Sequence, residues 1–141
     1  MGEGELRDTA MRLHAASIRL VRLVRREEGG AGLSAPRLSA LSAIVHAGPM
    51  SLAALAEAEQ VRPPTMSRIV EALVAAGLVS REPAPGNRRS VRIAATDAGA
   101  SLMREGRDRR VDLLAGRLAR LADSELRALA RGAEILTRVT R

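Results

Sequence analysis

The chain of 141 residues has no cysteine, no phenylalanine, no tyrosine, no tryptophan and no lysine. Without cysteine, disulfides, thiolate metal sites and thiol redox sensing are excluded. Without aromatic rings, the stacking platforms that usually grip single strands and RNA are missing. A duplex needs only phosphate contacts and groove hydrogen bonds, so it stays open as a partner. Long apolar runs are missing too: Arg, Glu or other polar and helix-breaking residues interrupt each one short of the ~20 residues of a membrane span. The opening Met1-Gly2-Glu3-Gly4-Glu5 is acidic, with no basic start leading into an apolar run. No secretory signal and no membrane partner are expected, and the cytoplasm is the expected location.

Catalytic groups are equally scarce. The two histidines, His14 and His46, lie far apart on apolar helical patterns, and no nucleophile stands beside a base. Gly29-Gly30-Ala31-Gly32 follows a helical pattern rather than a strand, so it is not a phosphate-binding loop. His14, His46 and Glu57 form too thin a set to favour a metal over ordinary structural histidines. The expectation is a non-enzyme with no cofactor and no metal.

What is present is arginine. All 23 basic residues are Arg, against 16 acids, for a net charge of +7. The lack of lysine reads first as GC-rich coding bias, yet it makes every cation a planar fork suited to phosphate or guanine. From Val61 to Arg92 six Arg face two acids, a local +4, whereas from Met1 to Gly30 six Arg face five acids. The excess is concentrated in one segment, as expected for a double-stranded DNA partner.

The periodicity orders the elements. Leu6, Ala10, Leu13, Ser17, Leu20 and Val24 recur at three and four, predicting a long amphipathic helix that the glycine cluster at 29–32 ends. Ser34 and Pro36 start a second helix, carried by Leu38, Leu41, Ile44 and Val45 and stopped by Gly48-Pro49. Ser51 caps a third, short helix with Leu52, Leu55 and Ala56. Pro63-Pro64 opens a fourth, with an apolar stripe of Met66, Ile69, Val70, Leu73 and Val74 and a stop at Gly77. Leu78–Glu82 and Ser90–Ala94 read as strands around a turn at Pro83–Asn87. Thr96 caps a fifth helix that Gly106 and Gly116 are expected to loosen, and a break near Ala122-Asp123 leads to a sixth. The fold class is therefore mainly α with a small β-hairpin wing, a winged helix-turn-helix in one domain. The first helix and the last two exceed what that unit can bury, and pairing with a second copy would cover their stripes.

Between Leu52 and Gly99 the sequence resembles the MarR family of multiple antibiotic resistance regulators. The matching pieces are Leu55-Ala56, Val61-Arg62-Pro63-Pro64-Thr65-Met66-Ser67-Arg68-Ile69-Val70 and Gly77-Leu78-Val79-Ser80-Arg81, followed by Asn87-Arg88-Arg89-Ser90 and Thr96-Asp97-Ala98-Gly99. The resemblance implies a homodimer, with residues 1–30 and 100–141 forming the dimerisation region and residues 34–96 the DNA-binding lobe. It further implies a transcriptional repressor on a palindromic operator, released by a small aromatic or anionic effector. Leu13, Ser17, Leu41 and Val45 are the candidate effector contacts. The family usually carries Asp at the position of Asn87; Asn can fix a turn but cannot form the ion pair Asp would offer.

On the fourth helix, Thr65, Ser67, Arg68 and Glu71 lie off the apolar stripe, while Met66 lies within it and reads as core. Arg68 is the candidate for a bidentate guanine contact, and Thr65 and Ser67 for bases or phosphates. Arg62 is better placed for phosphate, and the helix N-terminus is expected to add free backbone N–H groups and its dipole. On the hairpin, Arg89 is assigned to the minor groove and Arg88 to phosphate, in an order that could be exchanged. Arg81 and Arg92 are expected to flank the hairpin, touching the DNA backbone or pairing with Glu82. The alternative is a winged-helix interaction module or antagonist without DNA binding, against which Arg62, Arg68, Arg88 and Arg89 argue.

Overall fold

A computed structural model describes residues 2–26 and 32–140. The elements run α1 (Glu3–Arg25), α2 (Ala35–Ala47), α3 (Leu52–Ala58), α4 (Pro63–Ala75), β1 (Val79–Ala84), β2 (Asn87–Ala95), α5 (Asp97–Leu118) and α6 (Asp123–Val139). Most helix ends have a local cause. Gly48 and Gly77 adopt φ of 82° and 71°, a region open to glycine at little cost. Ser51 accepts the Ala54 N–H at 3.1 Å, and Thr96 accepts the Gly99 N–H at 3.1 Å. Ser34 departs from expectation: it holds the cap position of α2, but its side chain makes no cap bond, and Pro36 in the first turn has no N–H to offer. Of the glycine cluster expected to end α1, residues 29–31 lie outside the described residues. α5 continues through both Gly106 and Gly116.

The hairpin also differs from the sequence reading. The strands are longer than expected, and the turn contracts to Pro85-Gly86, with Gly86 at φ 76°. Pro at the first corner and Gly at the second is the pairing a type II turn favours. The antiparallel register runs from Val79 opposite Ala95 to Pro83 opposite Val91, then shifts so that Ala84 faces Asn87. Arg88, Arg89 and Ser90 thus have no partner across the ladder, and Pro83, which cannot donate, sits beside the irregularity. On its other side β2 is held by a single bridge, in which Met50 and Ile93 exchange N–H···O bonds of 3.1 and 2.7 Å.

The chain divides into two compact units, Met1–Val24 with Asp108–Arg141, and Arg25–Arg107. In the second unit, Leu41, Ile44, Leu55, Met66, Val70 and Leu73 are fully buried, with Val79 and Ile93 beside them. Each such Leu, Ile or Met side chain contributes about 1.5–3 kcal/mol relative to exposure. In the first unit no described residue of α1 or α6 is buried, and large apolar side chains such as Leu6, Met11 and Val139 are 60%, 58% and 74% exposed.

One junction ties the second unit together. The chain leaves α4 with Leu78 N–H on the Leu73 carbonyl at 3.0 Å. Thr96 donates its hydroxyl to the Gly77 carbonyl at 2.6 Å and its N–H to the Leu78 carbonyl at 3.1 Å. Gly99 follows so close that a Cβ there would stand 2.1 Å from the Leu78 oxygen and 3.2 Å from Leu41 Cδ1. Gly99→Ala should therefore destabilise the protein by about 1–3 kcal/mol, as overpacking does, measured by thermal or urea unfolding. A gain in stability, the ordinary result of Gly→Ala inside a helix, would contradict this contact.

Candidate nucleic-acid interface

The second unit presents two groups of polar side chains. The first lies on α4, whose stripe of Met66, Val70 and Leu73 faces the core and fixes the orientation of the rest. Arg62 is the cap residue, and Arg62, Thr65 and Arg68 are exposed, with Ser67 half-buried. Met66 is in the core, as its place in the stripe suggested. The second group, Asn87, Arg88 and Arg89, is exposed where the hairpin register shifts.

The start of α4 corrects one expectation. Pro63 and Pro64 have no N–H, and the Thr65 and Met66 amides both donate to the Arg62 carbonyl at 3.0 Å. Beyond the cap residue Arg62, the first turn of the helix therefore offers no free backbone donor among the described residues. What remains for an anion is the dipole and the side chains.

The arginines are electrostatically available. Arg62, Arg68, Arg81, Arg88 and Arg89 have no ion-pair or hydrogen-bond partner for their guanidinium groups among the described residues. Arg92 differs from expectation. It stands opposite Glu82 in the register, yet its Nη2 donates to the Pro49 carbonyl at 2.5 Å. Its role is to fasten β2 to the loop between α2 and α3. Glu82 instead accepts from the Ser80 hydroxyl at 3.4 Å. No sequence signal links Arg92 to Pro49, because the contact spans 43 positions.

Asn87, which cannot form an ion pair, acts through a hydrogen bond. Its Oδ1 accepts the Arg89 N–H at 3.1 Å, a side-chain bond that closes the turn locally. Another contact not anticipated lies on α4, where the Ser67 hydroxyl donates to Glu71 Oε1 at 3.2 Å.

The candidate effector residues are dispersed over both units. Leu13 and Ser17 belong to α1, where Leu13 is exposed and the Ser17 hydroxyl donates to the His14 carbonyl at 2.8 Å. Leu41 is fully buried in the core of the second unit, which leaves it no surface for a ligand, and Val45 is half-buried. His46 Nδ1 lies 2.9 Å from the Ser42 carbonyl, and among the described residues no cluster of three metal-type ligands occurs. No helix among the described residues is long and apolar enough to cross a membrane.

Comparison with known proteins agrees with this arrangement. The MarR family model matches residues 33–91, the stretch from the start of α2 into β2. An uncharacterized HTH-type transcriptional regulator of Mycobacterium bovis is 37% identical over 124 residues, which is 88% of this chain and 87% of that protein. The chain belongs to the MarR family. Among solved structures it resembles a MarR family protein from Bacillus stearothermophilus (TM-score 0.77, 21% identity, 99% of this chain and 98% of that one). It also resembles a transcriptional regulator from Thermotoga maritima (TM-score 0.84, 20% identity, 94% of each chain). The fold is thus the MarR winged helix-turn-helix, and the protein is a helix-turn-helix transcriptional regulator that binds DNA.

Within this MarR protein the Asn87 bond to the Arg89 N–H is open to test. Asn87→Ala removes the acceptor for the Arg89 N–H and should weaken operator binding about three- to tenfold, the worth of one such bond. Asn87→Asp, which keeps the acceptor, should bind more tightly than Asn87→Ala in a fluorescence anisotropy titration. Equal affinities for both variants and the parent would show that this bond does not position the wing.

Proposed function

We propose that the protein is a homodimeric repressor that recognises a palindromic operator, with α4 reading the major groove and the wing gripping the flanking backbone and minor groove. The observation that supports this reading is the set of guanidinium groups without a partner among the described residues on two elements of one unit, α4 and the hairpin. A guanidinium held in an ion pair would have to break it to meet DNA; these do not. Arg68 reads guanine, Arg62 and Arg88 neutralise phosphate, and Arg89 enters the narrow minor groove, with Thr65 and Ser67 completing the helix face. Dimerisation is supported by the apolar side chains that α1 and α6 leave exposed. Two-fold protein symmetry then asks for a two-fold symmetric site. The protein works in the cytoplasm, by binding rather than by catalysis.

A small aromatic or anionic effector completes the proposal. The contacts proposed for it within the first unit are Leu13, which is aliphatic and exposed, and Ser17, which is polar. Such an effector must alter operator affinity and be altered by the operator equally; an acid that stabilises the protein while leaving operator affinity unchanged contradicts the linkage.

The division of labour is testable. Arg68→Ala should cost roughly 1–3 kcal/mol on the preferred duplex and relax the preference at one position of each half-site. Arg88→Ala should weaken all duplexes about equally and reduce the slope of log affinity against log salt by about one per subunit. The measurement is a salt series for each variant on a preferred and a scrambled duplex, with folding checked by circular dichroism. Arg68→Ala lowering both affinities equally, or Arg88→Ala leaving the slope intact, would overturn these roles. A parent protein that shifts neither duplex would favour the interaction-module reading.

A further inference from the structure

We infer that Glu71 is a specificity-determining residue of the α4 face: it consumes the only proton of the Ser67 hydroxyl, so that Ser67 presents acceptor lone pairs alone and selects a base carrying an amino group in the major groove. This inference rests on the proposal that α4 reads bases.

The geometry is local. Ser67 and Glu71 are one helical turn apart, off the core stripe, and the Ser67 hydroxyl donates to Glu71 Oε1 at 3.2 Å. A serine hydroxyl has one proton and two lone pairs. An ionised carboxylate only accepts, so the direction of the bond is fixed and the proton is spent on it. What Ser67 can still do toward a ligand is accept.

That property discriminates among partners. Phosphate oxygens only accept, so a Ser67 hydroxyl committed to Glu71 is of no use to them, and the neighbouring carboxylate repels them. In the major groove, guanine offers O6 and N7 and thymine offers O4, all acceptors. Only adenine N6 and cytosine N4 carry protons to give. Glu71 is itself exposed and can accept from the same class of group. Arg68, one residue along, is the converse: it donates only and has no partner among the described residues. The helix face thus sets a donor-only group beside an acceptor-only pair, which fits guanine at one position and an adenine or cytosine amino group next to it. Thr65, whose hydroxyl makes no bond among the described residues, remains the hydroxyl free for phosphate.

The test uses the full-length protein and its preferred duplex, obtained by selection from random DNA. All four bases are substituted in turn at each half-site position for the parent, Ser67→Ala, Glu71→Ala, Glu71→Gln and Arg68→Ala. The parent should prefer adenine or cytosine over guanine and thymine about three- to tenfold at one position beside the Arg68 guanine, and the selection states which of the two. Ser67→Ala and Glu71→Ala should both flatten that preference to within about twofold, Glu71→Ala because the freed hydroxyl can then donate as well as accept. Glu71→Gln, whose amide oxygen still accepts from Ser67, should retain it. Preference for guanine or thymine at the Ser67 position, or its survival in Glu71→Ala, overturns the inference. Equal loss in Glu71→Gln and Glu71→Ala overturns it too, since charge rather than the hydrogen bond would then be responsible. If Arg68→Ala relaxes its own position while Glu71→Ala changes nothing, only this inference fails; if neither Arg68→Ala nor Ser67→Ala alters any base preference, base reading by α4 fails with it.

Discussion

The Leu78 carbonyl is the point on which the DNA-binding lobe depends. It accepts the Thr96 N–H and lies against Gly99, where any side chain would collide. Around it meet the end of α4, the open end of the hairpin ladder, where Val79 pairs with Ala95, the start of α5 and the Leu41 side chain of α2. Thr96 completes the seal, donating to Gly77 and accepting from Gly99 through one hydroxyl. α4 and the hairpin are thus joined through this junction by backbone bonds together with the Thr96 hydroxyl. The Arg92 bond to Pro49 and the Met50–Ile93 bridge brace the same hairpin from its other edge.

The reading surface built on that frame is made of side chains. Two prolines at the head of α4 remove two backbone donors, and the Arg62 carbonyl occupies the next two. In the first turn of α4, what remains to meet an anion is therefore the side chains and the helix dipole. Exposed arginines without acidic partners suit that task, because neither charge nor geometry has to be rearranged before contact. The register shift at Pro83/Ala84 serves it as well: residues 88–90 are freed from the ladder, so the wing arginines can be aimed by the turn instead of by the pleat.

Much of the order of elements was legible in the sequence because several boundaries carried a strong local signal. Glycine stops at positions 48 and 77, the Ser51 and Thr96 caps and the double proline of α4 all act within one turn of chain. Met66 was legible as core from its spacing alone. The hairpin was read too short, since Pro83 looks like a strand breaker, whereas at a bulged, two-stranded edge its missing N–H costs no ladder bond. Side-chain commitments were legible least. Arg92 was free to meet Glu82 by register, but a carbonyl 43 positions away took it. Ser67 and Glu71 are within helical reach of each other, and only the rotamers decide that they bond. Leu41 carried the stripe of α2 correctly, yet full burial removes it from the surface where an effector could touch it.

In the proposed function, two copies of this lobe read one duplex by sequence. Selection of the full-length protein on a random duplex library, followed by sequencing of the bound fraction, tests it most directly. The expected result is one enriched motif with two-fold symmetry and half-site centres about one helical turn, ~10 bp, apart. Enrichment of a single asymmetric half-site, or retention of duplexes with no common motif, would contradict it.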